Sequence, residues 1–173
     1  MGRPMSVDAV ARFQAALAEI AVDVRLTTAA EFPTALEAVV VEPAVATPLR
    51  IDGLTLDGTA VTVDPTPDEL RSAETGVTAG CLAIADYGTV GIESHPDGDE
   101  LVSLYPRRQV VVVPESRIHP TMDAAFDWLT PAVAGGLDSL VFVTGSSATA
   151  DMGATVDGVR GPGEVHVLVV EDR

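Results

Sequence analysis

Apolar residues recur every three or four positions in several stretches of the chain, which is the spacing of one helix face. The first such stretch predicts an amphipathic helix over 7–20, with Ser6 as its N-cap. The apolar face of this helix consists of Val10, Phe13, Leu17 and Ile20. Further helices are expected after the capping box of Thr28 and Glu31, at 67–72, and from Ile118 to a stop at Pro131, Gly135 and Gly136.

Continuous apolar runs predict strands between these helices. Val110–Val113 is a run of four valines, which is typical of a strand buried on both faces of a parallel sheet. A second buried strand is predicted at Ser139–Val143, and the final strand at Val165–Val170. Shorter strands are predicted at 22–26, 49–51 and 60–63.

The middle of the chain has the pattern of a hairpin. Residues 77–94 contain an apolar run, the turn sequence Asp86-Tyr87-Gly88 and an alternating run. Such a pattern predicts two antiparallel strands. The residues that follow, 95–100, are polar and are predicted to form a loop.

The composition indicates a sheet covered by helices. The chain of 173 residues contains 26 valines and 24 alanines, while aromatic residues make up only 4%. Valine-rich strands beside alanine-rich helices favour an α/β fold. Because the sequence shows no repeat, low-complexity tract or linker, we expect one domain over 1–173.

The charged residues exclude several kinds of chemistry. The chain carries 26 acidic and 10 basic side chains, all of the basic ones arginine, for a formal net charge of −16. Without lysine there is no Walker-type phosphate lysine and no Schiff base to a substrate or a lysine-linked cofactor. Cys81 is the one cysteine, so the chain by itself forms no disulfide, no Cys₄ zinc site and no iron–sulfur cluster. The histidines at 95, 119 and 166 lack metal-ligand spacing, so no metal site is expected.

The negative net charge and the apolar runs also predict the kind of partner and the cellular compartment. Nucleic acids and anionic membranes both select basic surfaces, so neither is an expected partner. The chain has no apolar run of the roughly 18 residues that span a bilayer and no signal-peptide core near its start, which predicts a cytoplasmic protein without membrane insertion. An acidic excess without lysine is typical of proteins that stay soluble in a high-salt cytoplasm, so we expect a halophilic source.

The first candidate site is the small-residue loop after the predicted strand at 139–143. Its candidate ligand-binding residues are Thr144, Gly145, Ser146, Ser147, Thr149 and Asp151. At the carboxyl end of a strand in an α/β sheet, such a loop offers hydroxyls and close backbone N–H groups to an anion or phosphate. The alternative is a strand-to-helix turn capped by Ser or Thr.

The second candidate site is the glycine-rich corner at 158–166. Here Arg160 and Gly161 are candidates for holding a carboxylate or phosphate, and His166 is a secondary candidate. The alternative is a tight turn into the last strand with a surface arginine. The basic pair Arg107-Arg108 is similarly open to an anionic ligand, but a solvated loop is the simpler interpretation.

The third candidate site is the stretch that leads into the hairpin. Glu74 is a candidate base or nucleophile, and Thr78, Asp86, Gly88 and Thr89 are secondary candidates near it. The alternative is that these carboxylates are only solvated, as most are on an acidic surface. Cys81 lies inside the predicted apolar strand and is expected to pack in the core.

Four segments carry a resemblance to a known family. They read A-I-A-D-Y-G-T at 83–89, S-L-Y-P at 103–106, T-G-S-S-A-T-A-D at 144–151 and G-V-R-G-P-G-E-V-H-V at 158–167. With the N-terminal helix and strand, they resemble the LUD domain, the family of lactate-utilisation protein C, over nearly the whole chain. The chain departs from the family pattern at the hairpin turn, where the family usually has E-T-G-T, and at Arg160, where it usually has histidine.

The resemblance implies a Rossmann-like α/β fold with flanking helices, similar to the sugar-phosphate isomerase and CoA-transferase group, whose strand-end loops bind phosphate-bearing ligands. It further implies a part in the oxidation of L-lactate to pyruvate beside iron–sulfur partner proteins. Since this chain cannot ligate an iron–sulfur cluster alone, it would be a member of such a system without the redox centre.

Three functional hypotheses follow. The first is a non-redox subunit or accessory protein of L-lactate utilisation that binds a small anionic or phosphate-bearing ligand at 144–151. The second is a stand-alone isomerase or acyl-transfer enzyme that uses Glu74, with Ser146, Ser147 and Thr149 holding a phosphate or CoA. The third is an interaction module that binds no ligand.

Overall fold

The computed structural model describes the backbone of residues 4–146, 148–151, 154–157 and 161–173, and side chains within 8–146 and 161–173. The helices of this part of the chain are α1 (Pro4–Glu19), α2 (Phe32–Glu37), α3 (Pro67–Ser72), α4 (Asp99–Leu104) and α5 (Met122–Ala134). The strands are β1 (Asp23–Thr27), β2 (Ala44–Ala46), β3 (Val61–Val63), β4 (Thr75–Ala79), β5 (Leu82–Ile84), β6 (Thr89–Glu93), β7 (Arg108–Pro114), β8 (Ile118–His119), β9 (Leu140–Val143), β10 (Ala148–Asp151), β11 (Ala154–Asp157) and β12 (Glu164–Val170).

Six parallel strands form the central sheet, in the order β1-β12-β7-β4-β2-β3. The last strand of the chain therefore lies inside the sheet, with Val167 between Val24 of β1 and Val111 of β7. Helices cover this sheet, so the prediction of an α/β fold with a parallel sheet and flanking helices is confirmed.

The valines of β7 divide the core between the two faces of the sheet. Val111 and Val113 pack with Phe13 of α1, while Val110 and Val112 pack with Phe32 of α2. All four valines are completely buried, as the valine run predicts. The predicted first helix is also confirmed, but it begins at Pro4, so the expected N-cap at Ser6 is wrong because this residue lies inside the helix. Ile20, expected on the apolar face, lies beyond the end of the helix and is exposed.

A second, smaller sheet lies on the α1 side, in the order β8-β5-β6-β9. The helix α5 packs on it through Ala125, against Leu82 and Ile84 of β5. Strand β9 pairs antiparallel with β6 at the edge of this sheet, and Phe142 is 48% exposed. The prediction that 139–143 is a buried strand is therefore wrong: an edge strand is covered by few neighbours.

The predicted hairpin is shorter than 77–94. Residues up to Ala79 belong to the central sheet, and the antiparallel pair consists of β5 and β6. Gly80 makes the change of sheet possible, because a Cβ at this position would lie 2.6 Å from Val90 and 2.7 Å from Val113. The chain thus passes between two packed layers where a side chain would not fit.

Other boundaries differ for local reasons. The predicted strand at 49–51 is replaced by β2, five residues earlier, and part of the predicted loop at 95–100 is the start of α4. The helix expected from Ile118 begins only at Met122, since Thr121 Oγ1 accepts from the N–H of Ala124, and it continues through Pro131 to Ala134. The predicted capping box of Thr28 and Glu31 is wrong: Thr28 Oγ1 accepts from the N–H of Glu31 at 3.3 Å, but the two residues form a turn before α2, whose N-cap is Glu31 without a side-chain cap. The helix at 67–72 has a full capping box from Thr66 and Glu69. No helix in the described ranges is long and apolar enough to cross a membrane.

Candidate functional site

The loops after β2 and β4 leave the central sheet toward opposite faces. After β2, Leu49 and Ile51 pack with Phe32 on the α2 face. After β4, the chain turns into β5, where Ala83 packs with Phe13 on the other face. The two strands are neighbours, so their carboxyl ends form a topological switch point, where open α/β sheets have a crevice that binds ligands.

A pocket of about 110 Å³ opens at this switch point. It is lined by Leu49, Arg50, Ala79, Cys81, Glu93, His95, Asp99 and Arg117. Sites for drug-sized ligands and cofactors usually measure about 300–1,000 Å³. The pocket is therefore of a size for a small metabolite, and most of its lining side chains are charged or polar.

A buried carboxylate orients the histidine of the pocket. Asp99 is only 3% exposed, and its Oδ1 accepts from the hydroxyl of Thr47 at 2.6 Å. Its Oδ2 accepts from the backbone N–H of His95 at 3.0 Å and lies 3.0 Å from the ring Nδ1. Such a carboxylate fixes the orientation of the imidazole and holds the proton on Nδ1. The ring Nε2 then remains for other partners, with Glu93 Oε1 at 3.6 Å, beyond hydrogen-bond distance.

Two arginines bring positive charge to the pocket. Arg50 has a left-handed backbone with φ of 50° and pairs with Asp97, while its Nη1 lies 3.7 Å from Asp99 Oδ1. Arg117, in the turn after β7, donates from Nη1 to the carbonyl of Gly80 at 3.3 Å. Among the described residues, no carboxylate lies within salt-bridge distance of Arg117. The pocket therefore contains a guanidinium without a direct ion pair among the described residues, although the carboxylates of Glu93 and Asp99 line the same pocket.

Cys81 lines the pocket without being an activated nucleophile. It is half-buried, and its thiol donates to the carbonyl of Gly91 at 3.4 Å. Burial, with the nearby charge of Glu93, raises the pKa of this thiol to about 11. The thiol is therefore protonated near neutral pH, and the expectation of a core cysteine is met only in part.

Comparison with known proteins decides the family. The model of the LUD domain matches residues 49–170, which is more than half of the chain. The chain belongs to the LUD domain family. The matched range contains every residue that lines the pocket.

Curated relatives of this LUD domain share a name. The chain is 34% identical over 107 residues to "Lactate utilization protein C" of Bacillus subtilis (strain 168), covering 60% of this chain and 45% of that protein. It is 37% identical, with the same coverage, to the protein of that name from Bacillus licheniformis. The chain thus spans about half the length of the curated relatives it matches.

A solved structure shows the same fold. The crystal structure of a DUF162 family protein from Deinococcus radiodurans matches this LUD domain with a TM-score of 0.74 at 24% identity. The match covers 95% of this chain and 98% of that one. The arrangement of sheets and helices described above is therefore one that an experimental structure also has.

The loop predicted as an anion cradle occupies another part of this LUD domain. Thr144, Gly145 and Ser146 follow the edge strand β9, and they are not at the carboxyl edge of the parallel sheet, as the sequence interpretation assumed. Strand β10 comes next and pairs with β11, so the alternative of a strand-to-helix turn is wrong. The positions of Ser147 and Arg160, and the side chains of Thr149 and Asp151, lie outside the described residues. The proposed cradle therefore stays a prediction.

The secondary site candidates near the predicted hairpin make structural contacts with other elements of the fold. Thr89 Oγ1 lies 2.6 Å from Thr144 Oγ1, which joins the hairpin to the loop after β9. Asp86 pairs with Arg12 of α1. Gly88 has a φ of 61°, and a Cβ there would come within 3.2 Å of the backbone of α1 at Leu17. Thr78 is buried and accepts from the amide of Gln109 at 3.3 Å.

Glu74, Gly161 and His166 lie near the amino end of the parallel strands, away from the pocket. Glu74 is exposed directly before β4, and its backbone carbonyl accepts from the N–H of Arg108 at 2.9 Å. Gly161 precedes β12, and His166 is near the start of that strand, where desolvation lowers its pKa. Since the hairpin begins beyond the other end of β4, the structure does not bring Glu74 to its mouth.

The arginine pair at 107–108 also belongs to this amino edge. The guanidinium of Arg108 donates from Nε to Glu164 Oε2 at 2.9 Å and from Nη1 to the carbonyl of Val39 at 2.8 Å. Arg107 reaches the same carboxylate at 3.2 Å. The pair is therefore engaged with a neighbouring strand, and hydrogen bonds from Arg108 lower the pKa of Glu164.

Sequence reasoning missed Arg50, His95, Asp99 and Arg117. For Arg50 and Arg117 the signal was their position after the parallel strands β2 and β7, because side chains at the carboxyl ends of parallel strands share one edge of the sheet. His95 and Asp99 follow β6 of the smaller sheet, so this rule does not find them. Placing the strand at 49–51 put Arg50 inside it, and reading 95–100 as a solvated loop concealed the buried Asp99.

Proposed function

We propose that this LUD domain acts in L-lactate utilisation as a component without a redox centre, and that it binds a small anion in the pocket between β2 and β4. The role in lactate utilisation is supported by family membership and by relatives named lactate utilization protein C. Since the chain spans about half of those relatives, the role is proposed for the domain and not transferred with their whole activity.

The observation that carries the binding proposal is the charge of Arg117. Its guanidinium lines a small pocket with no described carboxylate in salt-bridge range, beside an imidazole held by the buried Asp99. A guanidinium without a direct ion pair favours binding of an anion, because the two then form charge-assisted hydrogen bonds. The lactate-utilisation setting and the pocket thus point to the same kind of ligand.

The non-redox part of the proposal rests on side-chain chemistry. Within the 173 residues there is one cysteine, so these residues alone cannot hold an iron–sulfur cluster. Cys81 is also a poor electron-transfer or nucleophilic group, since its pKa of about 11 keeps it protonated. We therefore propose that electrons pass through iron–sulfur partner subunits in the cytoplasm and that this chain serves them by binding a metabolite or by organising them.

The Glu74 enzyme and the ligand-free module are less well supported. Glu74 is exposed at the edge of the sheet opposite the pocket, and its side chain forms no ion pair with a described residue. The ligand-free module is less well supported because Arg117 lines the pocket without a direct ion pair among the described residues.

Deletion of the gene for this chain in its native host tests the role. We expect a loss of growth on L-lactate as sole carbon source, with normal growth on glucose, and restoration by the wild-type chain supplied in trans. Unchanged growth of the deletion strain on lactate would contradict the proposed role.

A further inference from the structure

A second cavity, of about 290 Å³, lies at the amino edge of the parallel sheet. Its lining includes Asp23 and Arg25 of β1, Arg108 of β7, His166 of β12 and residues 38–39 after α2. The pocket between β2 and β4 is at the carboxyl edge of the same sheet, and the two linings share no residue. The amino-edge cavity is therefore a separate place for a ligand.

The register of the sheet puts His166 between the two arginines of this cavity. Asp23 and Val110 flank His166 in one row of the sheet, and Val110 faces α2. Arg25 is two positions after this row on β1, and Arg108 is two positions before it on β7. Because side chains alternate between the faces of a strand, both arginines lie on the same face as His166, one on each side of it.

The ring nitrogen Nδ1 of His166 is buried without a hydrogen-bond partner among the described residues. Asp23 Oδ2 lies 3.6 Å away, beyond hydrogen-bond distance, and the side chain of Asp23 is 86% exposed. A buried polar atom without a partner is costly, so a ligand that supplies the partner is favoured. Since a neutral imidazole can carry its proton on either nitrogen, Nδ1 can donate to an anionic oxygen.

The arginines also have donors left for a ligand. Arg25 forms no ion pair with a described residue. Arg108 donates to Glu164 from Nε and Nη2 and to the carbonyl of Val39 from Nη1, which uses three of its five N–H groups. Two N–H groups of Arg108 therefore remain.

The charge around this cavity has the opposite sign to that of the whole chain. Three arginines, at 25, 107 and 108, stand beside two carboxylates, Asp23 and Glu164, which leaves one positive charge. The chain as a whole carries −16. A local excess of arginine in so acidic a chain favours an anionic ligand.

The arrangement of the donors favours a tetrahedral anion over a planar one. A carboxylate presents two oxygens in one plane, whereas a phosphate group presents at least three strong acceptor oxygens. Donors from three neighbouring strands can thus each contact a different phosphate oxygen. A volume of about 290 Å³ is near the lower end for small-molecule sites and has room for a small organic group on the phosphate.

We propose that the amino-edge cavity binds a phosphate group, free or on a small phosphomonoester, through Arg25, Arg108 and the Nδ1–H of His166. This site lies at the opposite edge of the sheet from the pocket of the proposed function. It does not depend on a role in lactate utilisation.

A ¹H–¹⁵N NMR titration of the full chain with inorganic phosphate locates the site without any substitution. We expect backbone amide shifts to concentrate at residues 23–25, 38–39, 108 and 166–167. Shifts confined to the pocket between β2 and β4, or no saturable shifts, would overturn the proposal.

Isothermal titration calorimetry measures what each side chain contributes. The variant Arg25→Gln should weaken phosphate binding by at least about tenfold, because charge-assisted hydrogen bonds are lost. Arg25→Lys should weaken it less, since lysine keeps the charge without the fork. His166→Asn keeps an amide N–H near the position of Nδ1 and should bind phosphate more tightly than His166→Leu, which has no donor. Full affinity in Arg25→Gln, or equal affinities of the two His166 variants, would contradict the assignment.

Arg71→Gln is the matched control for the loss of one positive charge. Arg71 lies on α3 with its side chain 62% exposed, and it pairs with Asp68 three residues away. This variant should bind phosphate as the wild type does, and a circular-dichroism melt of each variant shows that it is folded. A loss as large as that of Arg25→Gln would mean that only the net charge matters and that there is no specific site.

Acetate and sn-glycerol 3-phosphate define the ligand class in the same calorimetry. Phosphate should bind at least about tenfold more tightly than acetate, because it has more charge and more acceptor oxygens. Tighter binding of sn-glycerol 3-phosphate than of inorganic phosphate identifies a phosphomonoester as the ligand, and the reverse order identifies the free ion. Acetate binding as tight as that of phosphate would overturn the proposal. The proposed function is tested separately, by growth of the deletion strain on lactate.

Discussion

The carboxylate of Asp99 holds His95 at two points, through the backbone N–H and the ring Nδ1, both at 3.0 Å. The same carboxylate accepts the hydroxyl of Thr47, 52 positions earlier in the chain, at 2.6 Å. One buried group therefore links the end of β2 to the loop after β6 and sets the orientation of the imidazole. The shape of the pocket depends on this link.

Removing Asp99 should destabilise the protein. The variant Asp99→Ala leaves buried donors of Thr47 and His95 without an acceptor, and we expect a loss of about 2–4 kcal/mol in the free energy of unfolding. Asp97→Ala is the control, since Asp97 has 39% side-chain exposure and pairs only at the surface with Arg50; it should cost less than about 1 kcal/mol. Urea denaturation measures both, and similar losses would contradict a structural role for the buried carboxylate.

Cys81 should react slowly with thiol reagents. Its pKa of about 11, against an ordinary value of 9.0, reduces the thiolate fraction at pH 8 about a hundredfold. Because a more basic thiolate is also more nucleophilic, we expect alkylation by iodoacetamide to be roughly tenfold to a hundredfold slower in the folded protein than in urea. Mass spectrometry follows the reaction, and Glu93→Gln should accelerate it. Equal rates in the folded and unfolded chain would show that the thiol is not shielded.

Gly76 should not tolerate a side chain. A Cβ at this position would lie 2.0 Å from the carbonyl oxygen of Val102, which is backbone of α4 and has little room to move. We expect Gly76→Ala to cost about 3 kcal/mol or more. Gly58→Ala is the control: it has nothing within 4 Å of its Cβ but a φ of 78°, so only the backbone strain of about 1–2 kcal/mol applies. A thermal melt in which Gly76→Ala is the milder change would argue against this packing of α4 on β4.

Two histidines should make stability fall between pH 7 and pH 5.5. Desolvation lowers the pKa of His119 and of His166 below the ordinary value of 6.5, and Arg108 also lowers the pKa of His166. The unfolded chain therefore binds more protons than the folded chain in this range. The contribution of the two neutral histidines to the free energy of unfolding is fully present above pH 6.5 and is lost as the pH falls. The double variant His119→Gln, His166→Gln should show a flatter dependence in urea denaturation.

The carboxylate of Glu164 does not obscure this test. Its pKa is lowered from 4.5 by Arg108, so its contribution is present above about pH 4.5 and is lost only at lower pH. An unchanged slope between pH 7 and pH 5.5 in the double variant would mean that other groups control the pH dependence.

Local patterns in the sequence were enough to predict much of the fold. The valine run of β7 and the apolar face of α1 identify elements because burial on one or two faces leaves its own periodicity. The periodicity of a strand does not show to which sheet the strand belongs. The strand near 140 has the composition of a buried strand, but its pairing with β6 places it at the edge of the smaller sheet.

The candidate site depends on such long-range placement. Asp99 looks solvated in the sequence because five of the six residues at 95–100 are polar or glycine, and only the approach of Thr47 shows that its carboxylate is buried. Conversely, the strand before the loop at 144–151 was expected in the parallel sheet, whereas it pairs with β6 in the smaller sheet. Both misplacements come from contacts between residues distant in the chain, and ligand binding at 144–151 stays a prediction.

A two-dimensional ¹H–¹⁵N NMR titration of the full chain with L-lactate and with pyruvate tests the location of the site most directly. If the ligand binds in the pocket, the backbone amide shifts concentrate at the non-proline residues of 47–50, 80–81, 93–99 and 117, around the carboxyl ends of β2 and β4. Shifts confined to residues 144–151, or no shifts with either acid, would contradict it.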